Sequence, residues 1–117
     1  MSDGTTISSH VLDTALGAPA AHITVTLLRL DDRGGTETLA SHVTNDDGRV
    51  PALVPDKAPF IAGNYRLCFD VASYFASTKR ESFYNEICVD FKVGEEAQHY
   101  HVPLLLSPFG YSTYRGS

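Results

Sequence analysis

Only two cysteines, Cys68 and Cys88, occur in this chain of 117 residues, too few for the disulfide framework of a small secreted protein. Both are expected as reduced thiols. No apolar run approaches the roughly 18 residues of a membrane helix. The opening Met1-Ser2-Asp3-Gly4 has neither the basic region nor the apolar core of a secretory signal. Arg115-Gly116-Ser117 does not read as a peroxisomal address, so the expected location is cytoplasmic. Cations are scarce and scattered: nine Lys and Arg stand against fourteen Asp and Glu, a net charge of −5. That excludes the basic footprint of a nucleic-acid binder. It does not exclude a cleft that gathers a few cations around a small anion. A Gly-x-Ser-x-Gly elbow for a nucleophilic serine is missing. Gly34-Gly35 lacks the lysine and helix that complete a phosphate-binding loop. There are no internal repeats, linkers or low-complexity stretches, and the length fits a single domain over residues 1–117.

What the sequence does carry is alternation with the period of a strand. Ile23, Val25 and Leu27 form one such set, and Tyr65, Leu67, Phe69 and Val71 another; Ile87, Val89, Phe91 and Val93 and then Tyr100, Val102, Leu104 and Leu106 follow. In a strand each set faces one side. Turn-forming residues separate the runs at Leu16-Gly17-Ala18-Pro19, Asp31-Asp32-Arg33-Gly34-Gly35, Asn45-Asp46-Asp47-Gly48 and Ala62-Gly63-Asn64. The pattern predicts an antiparallel β-sandwich. One stretch departs from it: Val71, Tyr74 and Phe75 have helical spacing, which predicts a short helix over 71–79 capped by Asp70 or Ser73. Cys68 and Cys88 both fall on the outward faces of their strands, where they could approach one another without any reason to expect a bond.

Several residues could do chemistry. His10 is a candidate acid–base group, because the reference pKa of histidine suits proton transfer near neutrality, although a histidine on an edge strand is more readily a surface group. His101 lies out of phase with the apolar set of its strand. Its face also carries Pro103 and Leu105, too apolar for open water and suggestive of a subunit interface. His99 and His101 share a face and could both ligate a metal, but a zinc site needs a third protein ligand, which spacing does not supply; no metal and no cofactor is expected. Arg49 follows a tight turn and could fork two hydrogen bonds onto a urea-like or carboxylate-like edge, or could be merely solvated. The end, Tyr111-Ser112-Thr113-Tyr114-Arg115-Gly116-Ser117, could fray. If ordered, it would fix Tyr114, Arg115 and a carboxylate.

In this order, these residues resemble the 5-hydroxyisourate hydrolase branch of the transthyretin family across nearly the whole chain. The resemblance rests on Ser9-His10-Val11-Leu12-Asp13, Gly17-Ala18-Pro19-Ala20, Asp47-Gly48-Arg49, Glu81-Ser82-Phe83-Tyr84, His99 through Pro108 and the closing Tyr114-Arg115-Gly116-Ser117. It implies a transthyretin-like sandwich of about eight strands with one short helix, assembled as a homotetramer with active sites at the dimer–dimer interface. It also implies hydrolysis of 5-hydroxyisourate, with His10, Arg49, His101 and Ser117 catalytic and His10, Arg49, Tyr114 and Arg115 contacting substrate. The hormone carriers of that family have lysine, glutamate and threonine where this chain has His10, Arg49 and His101. Two rivals remain open: a carrier without catalysis, and a metal-dependent hydrolase built on His99 and His101.

Overall fold

The computed structural model describes residues 4–54 and 61–117. Among these the chain forms nine strands and one helix: β1 (Thr6–Asp13), β2 (Ala18–Pro19), β3 (Thr24–Leu30), β4 (Thr36–Val43), β5 (Arg49–Val50), β6 (Gly63–Phe69), α1 (Val71–Ser77), β7 (Ile87–Val93), β8 (His99–Ser107) and β9 (Gly110–Thr113). Two of the strands, β2 and β5, are only two residues long, and the count is close to the eight or so expected.

The strands make two sheets. One runs β4-β3-β6-β7 and is antiparallel throughout. The other runs β2-β1-β8-β9, with β5 also paired to β1. Here β1 and β8 are parallel, in register from Thr6↔His99 to Asp13↔Leu106. The expected antiparallel sandwich is found, with this one parallel pair among its strands. Alternation reports which face a side chain takes, not which strand lies beside it, and the two strands are far apart in sequence.

The core follows the alternating sets. Ile7, Val11, Val25, Leu27, Tyr65, Leu67, Phe69, Leu104 and Leu106 are all fully buried between the sheets. Each large apolar side chain so buried contributes about 1.5–3 kcal/mol. Two outward positions are less open than alternation alone suggests. Cys68 is 7% exposed, flanked by Thr26 and Cys88 on the neighbouring strands, and Pro103 of β8 is buried as well.

The helix ends earlier than 79 but begins where expected. Asp70 caps it by accepting from the Ser73 backbone N–H at 3.2 Å, and Val71, Tyr74 and Phe75 turn inward. Its register anchors a buried carboxylate. Asp13, inaccessible at the end of β1, accepts from Tyr74 at 2.7 Å and Arg80 at 2.6 Å, and its other oxygen from the Leu16 N–H at 3.1 Å. Burial pushes the Asp13 carboxyl up, but those three donors and the Arg80 charge outweigh it and hold it below the usual carboxylate range. The Arg80 guanidinium also stacks 4.9 Å from the Phe75 ring. This network ties the helix to the far end of β1, so the sheet that carries the candidate site has a fixed footing.

Candidate active site

Three strands build the site. On β1, Ser8 and His10 share a face because they are two residues apart. The parallel register sets Ser8 against His101 of β8, and the antiparallel pairing with β5 sets His10 against Arg49. The turn before β5 explains the second pairing. The Asn45 side chain accepts from the Asp47 and Arg49 N–H groups at 2.9 and 3.0 Å. Gly48 adopts φ +76°, and a Cβ there would lie 2.4 Å from the Val11 carbonyl oxygen. Only glycine lets β5 come that close to β1, so Arg49 owes its position to its neighbour.

His101 Nδ1 is 2.7 Å from the Ser8 hydroxyl, which is also 3.0 Å from His99 Nε2. His99 Nδ1 in turn lies 2.6 Å from the Thr6 hydroxyl. A hydroxyl has one proton to give, so the groups are ordered as a chain. When His101 donates from Nδ1, Ser8 passes its own proton to His99, and His101 Nε2 carries a lone pair. When Ser8 donates to His101 instead, Nε2 carries the proton. Burial lowers the His101 pKa, and the charges of Arg49, His99 and His10 lower it further. These effects favour the neutral imidazole over the imidazolium. His10 donates from Nε2 to the Asp47 carbonyl at 3.0 Å. A carbonyl only accepts, so neutral His10 has its lone pair on Nδ1.

The chain end is ordered against this group. The Gly116 N–H donates to the His101 carbonyl at 2.8 Å, closing a bridge beyond β9. Ser117 then joins Ser8, Ser9, Arg49, His99 and His101 around a cleft of about 300 Å³. His10 is not among the residues lining that cleft, but it stands opposite Arg49 in the same sheet.

Tyr114 and Arg115 are placed elsewhere within the single chain. Arg115 donates to Gln98 Oε1 at 2.9 Å and to the His99 carbonyl at 3.2 Å, and its guanidinium lies 4.7 Å from the Tyr100 ring. With Tyr114, which is 57% exposed, it borders a second cleft of about 250 Å³ beside β7. Of the candidates that the sequence offered, Arg49, His101 and Ser117 share the cleft and His10 stands opposite Arg49. From the sequence Ser8 had no assigned role, and His99 was only a possible ligand. The signal for Ser8 was its spacing of two from His10.

The sequence matches the HIUase/Transthyretin family over residues 7–116. The chain belongs to that family. It is 47% identical over 111 residues to the 5-hydroxyisourate hydrolase of Salmonella dublin, a match that covers 95% of this chain and 80% of the relative. Among solved structures it resembles the 5-hydroxyisourate hydrolase of Klebsiella pneumoniae, with 41% identity, a TM-score of 0.83 and coverage of 97% and 94%. It also resembles sea bream transthyretin in complex with thyroxine, with 31% identity, a TM-score of 0.86 and coverage of 94% and 93%. Backbone similarity does not separate the two branches of the HIUase/Transthyretin family. The identities do: 47% and 41% to the two hydrolases against 31% to the carrier.

Proposed function

We propose that the protein hydrolyses 5-hydroxyisourate to 2-oxo-4-hydroxy-4-carboxy-5-ureidoimidazoline, a step of urate breakdown, by general acid–base catalysis without a metal. The observation that carries this reading is His101, tied through Ser8 to a second histidine, in one cleft with Arg49 and Ser117. A neutral imidazole takes a proton from water as the oxygen adds to the ring carbonyl, and Nε2 of His101 is the base when the Ser8–His99–Thr6 chain runs with His101 donating from Nδ1. Arg49 binds the carbonyl edge and opposes the negative charge of the tetrahedral intermediate. The ring C–N bond then breaks, and His10 gives a proton to the departing nitrogen. The Ser117 end closes the cleft behind His101.

Tyr114 and Arg115 enter this reading as substrate contacts supplied by a neighbouring subunit. The assembly is a homotetramer, a dimer of dimers with sites at the dimer–dimer interface, acting in the cytoplasm. The outward placement of His101 beside half-buried Leu105 supports a partner there. No helix among the described residues is long and apolar enough to cross a membrane.

The test follows the decay of freshly made 5-hydroxyisourate by absorbance, since the compound also opens unaided. The wild-type chain should accelerate decay, and His101→Ala should lose roughly a hundred- to ten-thousand-fold of that rate. An equally active His101→Ala would overturn the assignment. The likeness to a thyroxine-bound transthyretin gives a second reading, a carrier. Thyroxine bound tightly by a folded chain that leaves the decay rate unchanged would put it first.

A further inference from the structure

The sheet away from the cleft carries a second reactive group. Cys68 of β6 and Cys88 of β7 stand directly opposite in the antiparallel register, with their sulfurs 3.0 Å apart. Opposed residues of an antiparallel pair hold their Cα atoms about 4.5–5.5 Å apart, inside the roughly 4.4–6.8 Å that a disulfide bridges. Closing the bond asks the sulfurs to approach by about 1 Å. The two differ in access: Cys68 is buried and Cys88 exposed. Cys88 donates to the Glu86 carboxylate at 3.7 Å. On the same outward face, Arg66 makes two hydrogen bonds to Asp90, at 2.6 and 3.1 Å.

We propose that Cys68 and Cys88 form a two-electron redox site, in which a hydroperoxide oxidises Cys88 and Cys68 resolves the product into an intrachain disulfide. The exposed Cys88 sulfur, its proton passed to Glu86, attacks one peroxide oxygen. An S–O bond forms, the O–O bond breaks, and the other oxygen leaves as water after taking up a proton. Cys88 is then a sulfenic acid. The Cys68 sulfur attacks the Cys88 sulfur, an S–S bond forms and the S–O bond breaks. Hydroxide leaves with the Cys68 proton as a second water. Two thiols and one hydrogen peroxide thus give one disulfide and two waters. The division of labour follows from placement. Burial, the bond to Cys88 and the Cys88 and Glu86 charges push the Cys68 thiol up to about 12, so it stays a thiol and leaves the first encounter with peroxide to the exposed Cys88. A thiol reductant reverses the bond by exchange.

The experiment treats the full chain with a small excess of hydrogen peroxide and counts thiols after denaturation, with intact mass in parallel. Both thiols should disappear, the mass of a single chain should fall by two hydrogens, and dithiothreitol should restore both. Cys68→Ser should stop at a Cys88 sulfenic acid that dimedone traps, while the Cys88→Ser chain should keep its one thiol through the same exposure. Neither substitution touches the cleft on the opposite sheet, so hydrolysis of 5-hydroxyisourate should be unchanged in both. Free thiols surviving in the wild-type chain would overturn the proposal. So would their loss as sulfinic acid or as a cross-link between chains. The proposal stands whether or not the chain is a hydrolase.

Discussion

Replacing Gly116 by alanine tests the link between the chain end and the catalytic histidine. Gly116 has no left-handed conformation to protect, so its importance rests on space alone. A Cβ built there lies 2.5 Å from His101 Cδ2 and 3.3 Å from Cγ, against about 3.5–4.0 Å for carbon atoms in comfortable contact. Either the imidazole retreats by about 1 Å or the Gly116 bond to the His101 carbonyl opens. Retreat strains the 2.7 Å contact with Ser8; opening frees Ser117 from the cleft. Overpacking of this size costs about 1–3 kcal/mol locally, and a misplacement of about 1 Å at a reacting group lowers rate by about a hundredfold. We therefore expect kcat/KM for 5-hydroxyisourate to fall by about that factor in G116A, with circular dichroism and oligomeric state unchanged. Gly35→Ala is the control, since its Cβ meets the side chain of Asp31 at 2.6 Å in a remote turn, and it should keep full activity. Wild-type kcat/KM in G116A would refute the idea that the tail sets the position of His101.

Two further outcomes follow from charge. Arg49 is one of the groups that depress the His101 pKa, so Arg49→Ala removes a positive charge, favours the imidazolium and raises that pKa. An NMR titration of the His101 ring should show its midpoint at higher pH than in wild type, and the acid limb of kcat/KM in the wild type should lie below the ordinary histidine value of about 6.5. A midpoint that stays put or falls would contradict the placement of Arg49. Asp13→Asn removes the partner of Arg80 at a buried site and should cost about 3–5 kcal/mol, nearer the lower figure because Arg80 is partly exposed, read by urea denaturation. Because the folded Asp13 pKa is depressed, its stabilisation is present above the unfolded value of about 3.9 and is lost as pH falls through the folded value. The stability difference between D13N and wild type should therefore shrink below pH ~4.

Most of the fold could be read from the pattern of side chains, and the places where it could not are informative. Tyr65, Leu67 and Phe69 announced their shared face, and Asp70 announced the helix start. The β1–β8 pairing could not be read, because periodicity is a local property and a partner ninety residues away leaves no mark on it. The burial of Cys68 escaped for a related reason, since a central strand is covered by its neighbours even on its outward face. In the site, chemistry identified His10, Arg49 and His101 as candidates, but only the parallel register showed that Ser8 stands between two imidazoles. The ordered end was foreseeable only as a condition, because exposed sequence gives no hint of the single backbone bond from Gly116.

The same parallel pairing shapes how the molecule comes into being. Thr6 and His99, opposed in the finished sheet, are separated by 93 positions. At a synthesis rate of about 5–20 residues per second, β1 leaves the ribosome roughly 5–19 s before its partner is made. Through that interval β1 has no β8 to pair with, and the sheet that carries the site has no centre. The opposite sheet can form first, since all its neighbours come from the middle of the chain. Contacts of such long sequence separation also slow folding. The imidazole of His10 is therefore made among the first residues, yet waits for nearly the whole chain before it has chemistry to do.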